Sequence, residues 1–149
     1  MLKRALKSDI IHLSGGNTYH FLNALRKSGL IEHLRDFAFK GGVISGLSAG
    51  GIMLTPSIQT ASFPDFDKDD NEIGLRSYKA LSLVNFEFFP HYINTKRYNE
   101  PLLKHSRKTN RPIFALPDGS GILVNHEDTQ FLGEAFCFHA GRKFKISDL

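Results

Sequence analysis

The chain is predicted to be an α/β protein built on a parallel sheet. Three observations carry that reading. Strand-prone and helix-periodic segments alternate through the N-terminal part of the chain. Two glycine-rich turns, Ser14-Gly15-Gly16-Asn17 and Gly46-Leu47-Ser48-Ala49-Gly50-Gly51, stand at strand-to-helix junctions. The order strand, helix, strand, helix calls for parallel pairing through helical crossovers. With 149 residues the chain has the length of one domain, 1–149, large enough to bury a core.

Met1 to Lys7 reads as the tail of a helix, and Asp9 to Leu13 as a short strand. Asn17 or Thr18 is an N-cap candidate, because a short polar side chain there accepts from the first free helical amides. Phe21, Leu22 and Leu25 then recur at helical spacing, and Gly29 stops the helix. Leu30 to Lys40 is a second helix with Ile31, Leu34, Phe37 and Ala38 on one face. Gly41-Gly42 ends it, and the strand into Ser48 follows. Ser62 to Lys79 is polar, acidic at its centre, and reads as a surface loop. Leu81 to Phe89 is a predicted strand and Thr95 to Lys108 a predicted helix. Short strands are predicted over Pro112–Leu116, Gly121–Asn125, Thr129–Leu132, Ala135–His139 and Lys143–Ile146, separated by turn residues. There is no internal repeat and no low-complexity segment.

Composition narrows the function classes. The net charge of +4 is mild and its basic residues are scattered, so no nucleic-acid footprint is expected. No apolar run has the length of a membrane span, and no signal-peptide core follows the N-terminus, so no membrane partner is expected. A single cysteine, Cys137, forms no internal disulfide and fits a reducing cytoplasm. Thirteen phenylalanines and no tryptophan predict a core largely of Phe, Leu and Ile.

Gly46-Leu47-Ser48-Ala49-Gly50 has two readings. One is a nucleophile elbow, where small neighbours let a sharp turn present a serine beside helix N–H donors that stabilise an oxyanion. The other is a glycine-rich turn without chemistry, and five residues do not separate the two. A serine nucleophile needs a base and an acid that orients the base. His91 lies just past the predicted strand that ends in Phe88-Phe89-Pro90, and strand ends are where sites gather in open α/β sheets. Its alternative is a partly exposed loop histidine. His20, His33, His105, His126 and His139 fall within predicted helices and strands and read as structural. Asp118, in Leu116-Pro117-Asp118-Gly119, is the best acid, although Pro-Asp-Gly is also a turn sequence in its own right. The resulting order of Ser48, His91, Asp118 differs from the Ser, Asp, His order of α/β-hydrolases.

Ser14-Gly15-Gly16-Asn17 lacks G-x-G-x-x-G and a Walker lysine, so phosphate binding is a poor use for it. A plain turn is one reading; the other is a backbone N–H donated to an oxyanion, with the Ala49 N–H as second donor. The acidic run Asp65 to Glu72 fails as a calcium loop, because Asp70 stands where the sharp turn needs glycine and Arg76 where a bidentate glutamate belongs. It reads as solvated. Cys137, between Phe136 and Phe138, reads as a packed strand residue.

These residues together resemble the dipeptidase E family of serine peptidases, the aspartyl dipeptidases, which are related to cyanophycinases. The resemblance rests on Gly15-Gly16-Asn17-Thr18, on Gly46 to Gly50 with Pro56 downstream, on Pro90-His91-Tyr92 and on Leu116-Pro117-Asp118-Gly119. It implies a three-layer sandwich like class I glutamine amidotransferases, with a mostly parallel central sheet flanked by helices. It also implies a nucleophile at Ser48, a base at His91, and Asp118 where the family usually has glutamate. The oxyanion donors carry over to the backbone of Gly16 and Ala49. Small peptides are the implied substrates, with no metal or cofactor. Lys96 and Arg97 are the nearest basic candidates for the arginine that holds an N-terminal aspartate in the family, and Asn17 is a further substrate-contact candidate. Family members begin with further strands and helices before the GGNT strand, so this chain reads as an N-terminally short form. Such a form exposes apolar surface and invites a homodimer. The rival expectation is a non-catalytic truncated member or binding scaffold. A glutamine-amidotransferase-like enzyme is disfavoured, since that class carries cysteine at the elbow.

Overall fold

The computed structural model describes residues 6–146. The helix tail expected over Met1 to Lys7 falls mostly outside them, and residues 6 and 7 form a turn. Strand β1 (Ile10–Leu13) pairs in parallel with β2 (Val43–Gly46), Ile10 opposite Val43 and Leu13 opposite Gly46. Parallel neighbours need a crossover, and α1 (Thr18–Lys27) and α2 (Leu30–Phe39) supply it. Asn17 starts α1: its side-chain oxygen accepts from the Tyr19 and His20 N–H groups, each at 3.0 Å. Gly29, with φ 70°, takes the left-handed turn that ends α1 and leads directly into α2. Leu22 and Leu25 of α1 and Leu34 of α2 are buried with Leu13, Tyr19, Ile52, Met53 and Ile58 in one core. Each such Leu contributes about 1.5–3 kcal/mol of apolar burial. Helix α3 (Ala49–Met53) is fully buried, and a 3₁₀ turn follows at Gln59–Ser62.

The second half builds a separate four-stranded sheet. β3 (Glu87–Phe89) is parallel to β4 (Ile113–Ala115), with α4 (Lys96–Ser106) as the crossover. β4 then pairs antiparallel with β7 (Ala135–His139), and β7 antiparallel with β8 (Arg142–Ile146). A second core joins α4 to this sheet through Phe89, Tyr92, Tyr98, Leu102, Ile113, Phe136 and Phe138. β5 (Gly121–Val124) and β6 (Thr129–Leu132) form their own hairpin. The strand pairing is therefore mixed, where a mostly parallel sheet was expected. Connection length explains the difference: Ala140 and Gly141, at φ 49° and 74°, make a two-residue turn between β7 and β8, and such a turn permits only an antiparallel hairpin.

Two further expectations change. Of the strand predicted over Leu81 to Phe89, only Glu87–Phe89 pairs in a sheet. The Leu81, Ser82 and Leu83 amides instead donate to the carbonyls of Met53, Thr55 and Leu54 at 3.0, 3.0 and 2.9 Å. They satisfy the open end of α3 rather than a sheet ladder. The acidic loop is also not simply solvated. Asp69 accepts the Thr18 N–H at 2.7 Å, the Asn17 amide donates to the Asp70 carbonyl at 2.9 Å, and the Tyr98 hydroxyl donates to Asp67 at 2.7 Å. A carboxylate at the start of α1 is also favoured by the helix dipole.

Candidate active site

Strand β2 ends at Gly46, and the chain turns through Leu47 and Ser48 into α3. The turn depends on missing side chains. A Cβ on Gly46 would stand 2.4 Å from the Gly50 carbonyl oxygen, and one on Gly50 would stand 2.0 Å from that of Leu13. Ser48 itself is held at φ 52°, ψ −116°. A non-glycine residue there stores about 1–3 kcal/mol of backbone strain. Gly15 lies alongside, since a Cβ on it would sit 3.6 Å from Ser48 Cβ. Gly16 adopts φ 137° in the same loop. Ala49 is the first residue of α3, so its N–H has no intrahelical acceptor.

The β3–β4 pairing continues beyond both strands. Leu116 N–H donates to Phe89 O and Tyr92 N–H to Leu116 O, each at 3.0 Å. The segments carrying His91 and Asp118 are thereby fixed side by side. His91 is at φ 55°, and Gly119, at φ 84°, turns the chain just after Asp118. Asp118 is thus a turn residue whose side chain also reaches His91.

The three side chains form one hydrogen-bonded series. His91 Nε2 lies 2.8 Å from Ser48 Oγ, and His91 Nδ1 lies 2.7 Å from Asp118 Oδ1. A carboxylate only accepts, so Nδ1 carries the proton and Nε2 is left to accept from the serine hydroxyl. That is the arrangement in which a histidine can take the hydroxyl proton during attack on a carbonyl. The side chains of His91 and Asp118 are 51% and 82% exposed. Solvent weakens their attraction, and a substrate that excludes water strengthens it.

A cavity of about 490 Å³ opens beside His91, with Asp67, Asn94, Tyr98 and Glu134 in its wall. Burial pushes the Tyr98 phenol up, with the Asp67 hydrogen bond adding to it. Burial pushes Tyr92 up to about 12, with Glu134 adding to it. Both phenols therefore stay protonated donors. Lys143 donates to Asn94 Oδ1 and lies 4.7 Å over the Phe136 ring; burial pushes its ammonium down while Glu134 opposes. Of the other expected contacts, Asn17 has both ends of its amide engaged, on α1 and on Asp70. Lys96 is 87% exposed and pairs with Glu100 at 3.6 Å. Arg97 stacks over Phe66 at 3.8 Å. None of the three lines this cavity. Asp67, Asn94, Tyr98, Glu134 and Lys143 carried no sequence signal beyond the position of Asn94 and Tyr98 just after the His91 motif. Cys137 is half-buried, and burial pushes its thiol up, which keeps it unreactive. Among the described residues, no helix is long and apolar enough to cross a membrane.

Comparison with known proteins places this chain among peptidases. The family model described as peptidase family S51 matches residues 1–132. An uncharacterized peptidase of Pasteurella multocida is 31% identical over 127 residues, covering 81% of this chain and 58% of the relative. A peptidase E of Shewanella oneidensis is 31% identical over 144 residues, covering 89% and 57%. The crystal structure of a candidate peptidase E from Listeria monocytogenes superposes with a TM-score of 0.68 at 26% identity, covering 87% of this chain and 61% of that one. A peptidase from an acI-B1 Actinobacterium gives 0.70 at 15% identity, covering 99% and 60%, a likeness of fold. The chain spans about half the length of the curated relatives it matches.

Proposed function

The chain belongs to peptidase family S51, and we propose that it acts as a serine peptidase on small peptides through Ser48, His91 and Asp118. The observation that carries the proposal is the unbroken series from Ser48 Oγ through His91 to Asp118, at 2.8 and 2.7 Å. In this reading Ser48 Oγ attacks the peptide carbonyl while His91 Nε2 takes its proton. The Gly16 and Ala49 N–H groups receive the oxyanion. Collapse of the tetrahedral intermediate breaks the C–N bond, and His91 returns the proton to the leaving amine. Water, activated by the same histidine, then releases the acyl group from Ser48. Asp118 holds the imidazole and stabilises its charged form.

A strained serine in a turn that needs Gly46 and Gly50 supports this reading over a non-catalytic scaffold, because strain of this kind persists where function requires it. The whole chain, 1–149, is read as one peptidase-like domain of the glutamine amidotransferase-like, three-layer kind. The single cysteine supports a cytoplasmic setting. An aspartyl preference gains no support from the cavity beside His91, whose wall, among the described residues, carries Asp67 and Glu134 and no arginine. A fluorophosphonate probe tests the nucleophile. The wild type is expected to label and Ser48→Ala to stay unlabelled; equal labelling of both sinks the assignment. A dipeptide panel varying the N-terminal residue then reads the preference.

A further inference from the structure

A second cavity, of about 620 Å³, lies at the opposite end of the strands from Ser48. Chain direction places it there. Ser48, His91 and Asp118 follow the C-terminal ends of β2, β3 and β4, whereas Arg111 precedes β4. Likewise α1 begins beside Gly16 and ends at the Arg26 turn, and Ser57 follows the end of α3.

Four cations from four segments line this cavity: Arg26 of α1, Arg35 of α2, Lys79 of the preceding loop to β3, and Arg111. Among the described residues, the single carboxylate in its wall is Glu32. Among the described residues, none of the four cations is ion-paired to a carboxylate. Hydrogen bonds place two of the four. Arg26 is fixed by donating to the Ser77 and Lys79 carbonyls at 2.9 and 2.6 Å. Arg111 donates through Nε to Asn85 at 3.3 Å, which leaves its terminal nitrogens unassigned.

Like charges around one cavity with a lone carboxylate among them and no ion pair repel one another, and a bound anion relieves that repulsion. Cations carried by several segments around one cavity suit a tetrahedral oxyanion, which offers acceptors in several directions, better than a single planar carboxylate. The volume falls in the small-molecule range, and a concavity rather than a flat basic face argues against a polyanionic strand. We infer that this cavity binds a small phosphate-bearing anion, with Arg35, Lys79 and Arg111 as its contacts and Arg26 as a fixed wall.

Calorimetric titration of the full chain with inorganic pyrophosphate, in chloride buffer of matched ionic strength, tests this. One saturable site is expected, and Arg35→Gln or Lys79→Gln is expected to weaken it about tenfold, the loss of one charge-assisted contact. Amide shifts of the wild type should move at Ser57 and Ala80, which line the cavity, and stay still around Ser48. No saturable heat, equal affinity for succinate, undiminished affinity in both variants, or shifts confined elsewhere would overturn the site. The wild-type shifts locate binding even if a variant fails to fold.

Discussion

At Gly50 a single methyl group meets the backbone of β1 rather than a movable side chain, since its Cβ would stand 2.0 Å from Leu13 O. Overpacking against backbone relaxes poorly, so Gly50→Ala is expected to destabilise by about 3 kcal/mol. Urea denaturation reads this as a lowered midpoint, and an unchanged midpoint refutes it. Asp118 tests the chemistry at the same scale. Asp118→Asn places an amide where an acceptor is needed, so the imidazole loses the tautomer that accepts from Ser48. Peptidase turnover should fall by about 10²-fold or more, with folding unchanged because the Asp118 side chain is 82% exposed. Asp118→Glu, which keeps the acceptor, should lose much less; a loss equal to that of Asp118→Asn argues against the orienting role. The positions of Ser48, His91 and Asp118 were legible in the sequence because each lies just past a strand, His91 and Asp118 next to a proline and Ser48 between glycines two residues to either side. The cavity wall was not legible. Asp67 and Glu134 are separated from His91 in sequence and meet it only through the folding of two loops.

Among the elements, α4 is tied to β3 by a buried polar contact. Glu87, 3% exposed, lies 2.7 Å from His105 Nε2 and accepts from the Thr109 hydroxyl at 2.7 Å. His105 also packs against Phe63, with ring centroids 5.0 Å apart. Glu87→Ala would leave both partners without their acceptor in a poorly solvated place. A loss of about 3 kcal/mol is expected, with Glu87→Gln costing less; equal stability of Glu87→Ala and wild type in urea denaturation would refute the tie. β3 leads directly to His91, so the contact also braces the candidate site. Helices α1 and α2 were legible from apolar spacing, the Asn17 cap and Gly29, all of which act locally. The segment over Leu81 to Leu83 was not, because its amides answer to carbonyls of α3 rather than to a neighbouring strand. His105 was read as structural from its helix, and its partner is a buried glutamate that no local pattern announces.

For the whole molecule, strand order and strand pairing have different origins. Alternating strands and helices in the first half correctly indicated parallel pairs, but pairing across β4 and β7 joins segments whose relation is set by tertiary packing. The same architecture leaves one face of the β1–β2 pair open. Ile11, Leu13 and Ile44 face the helical core, while Ile10 and Val43, opposite each other in register, are 60% and 55% exposed. His12 and Ser45 continue that outer face, joined at 2.7 Å. Parallel sheets ordinarily have both faces covered, and an exposed apolar strip favours association. The chain is therefore expected to self-associate through this strip at micromolar concentration. Ile10→Lys with Val43→Lys should shift sedimentation velocity to the monomer while changing stability little, because both side chains already face solvent. A wild type that sediments as a monomer, or a dimer that survives the double substitution, excludes this face as the interface.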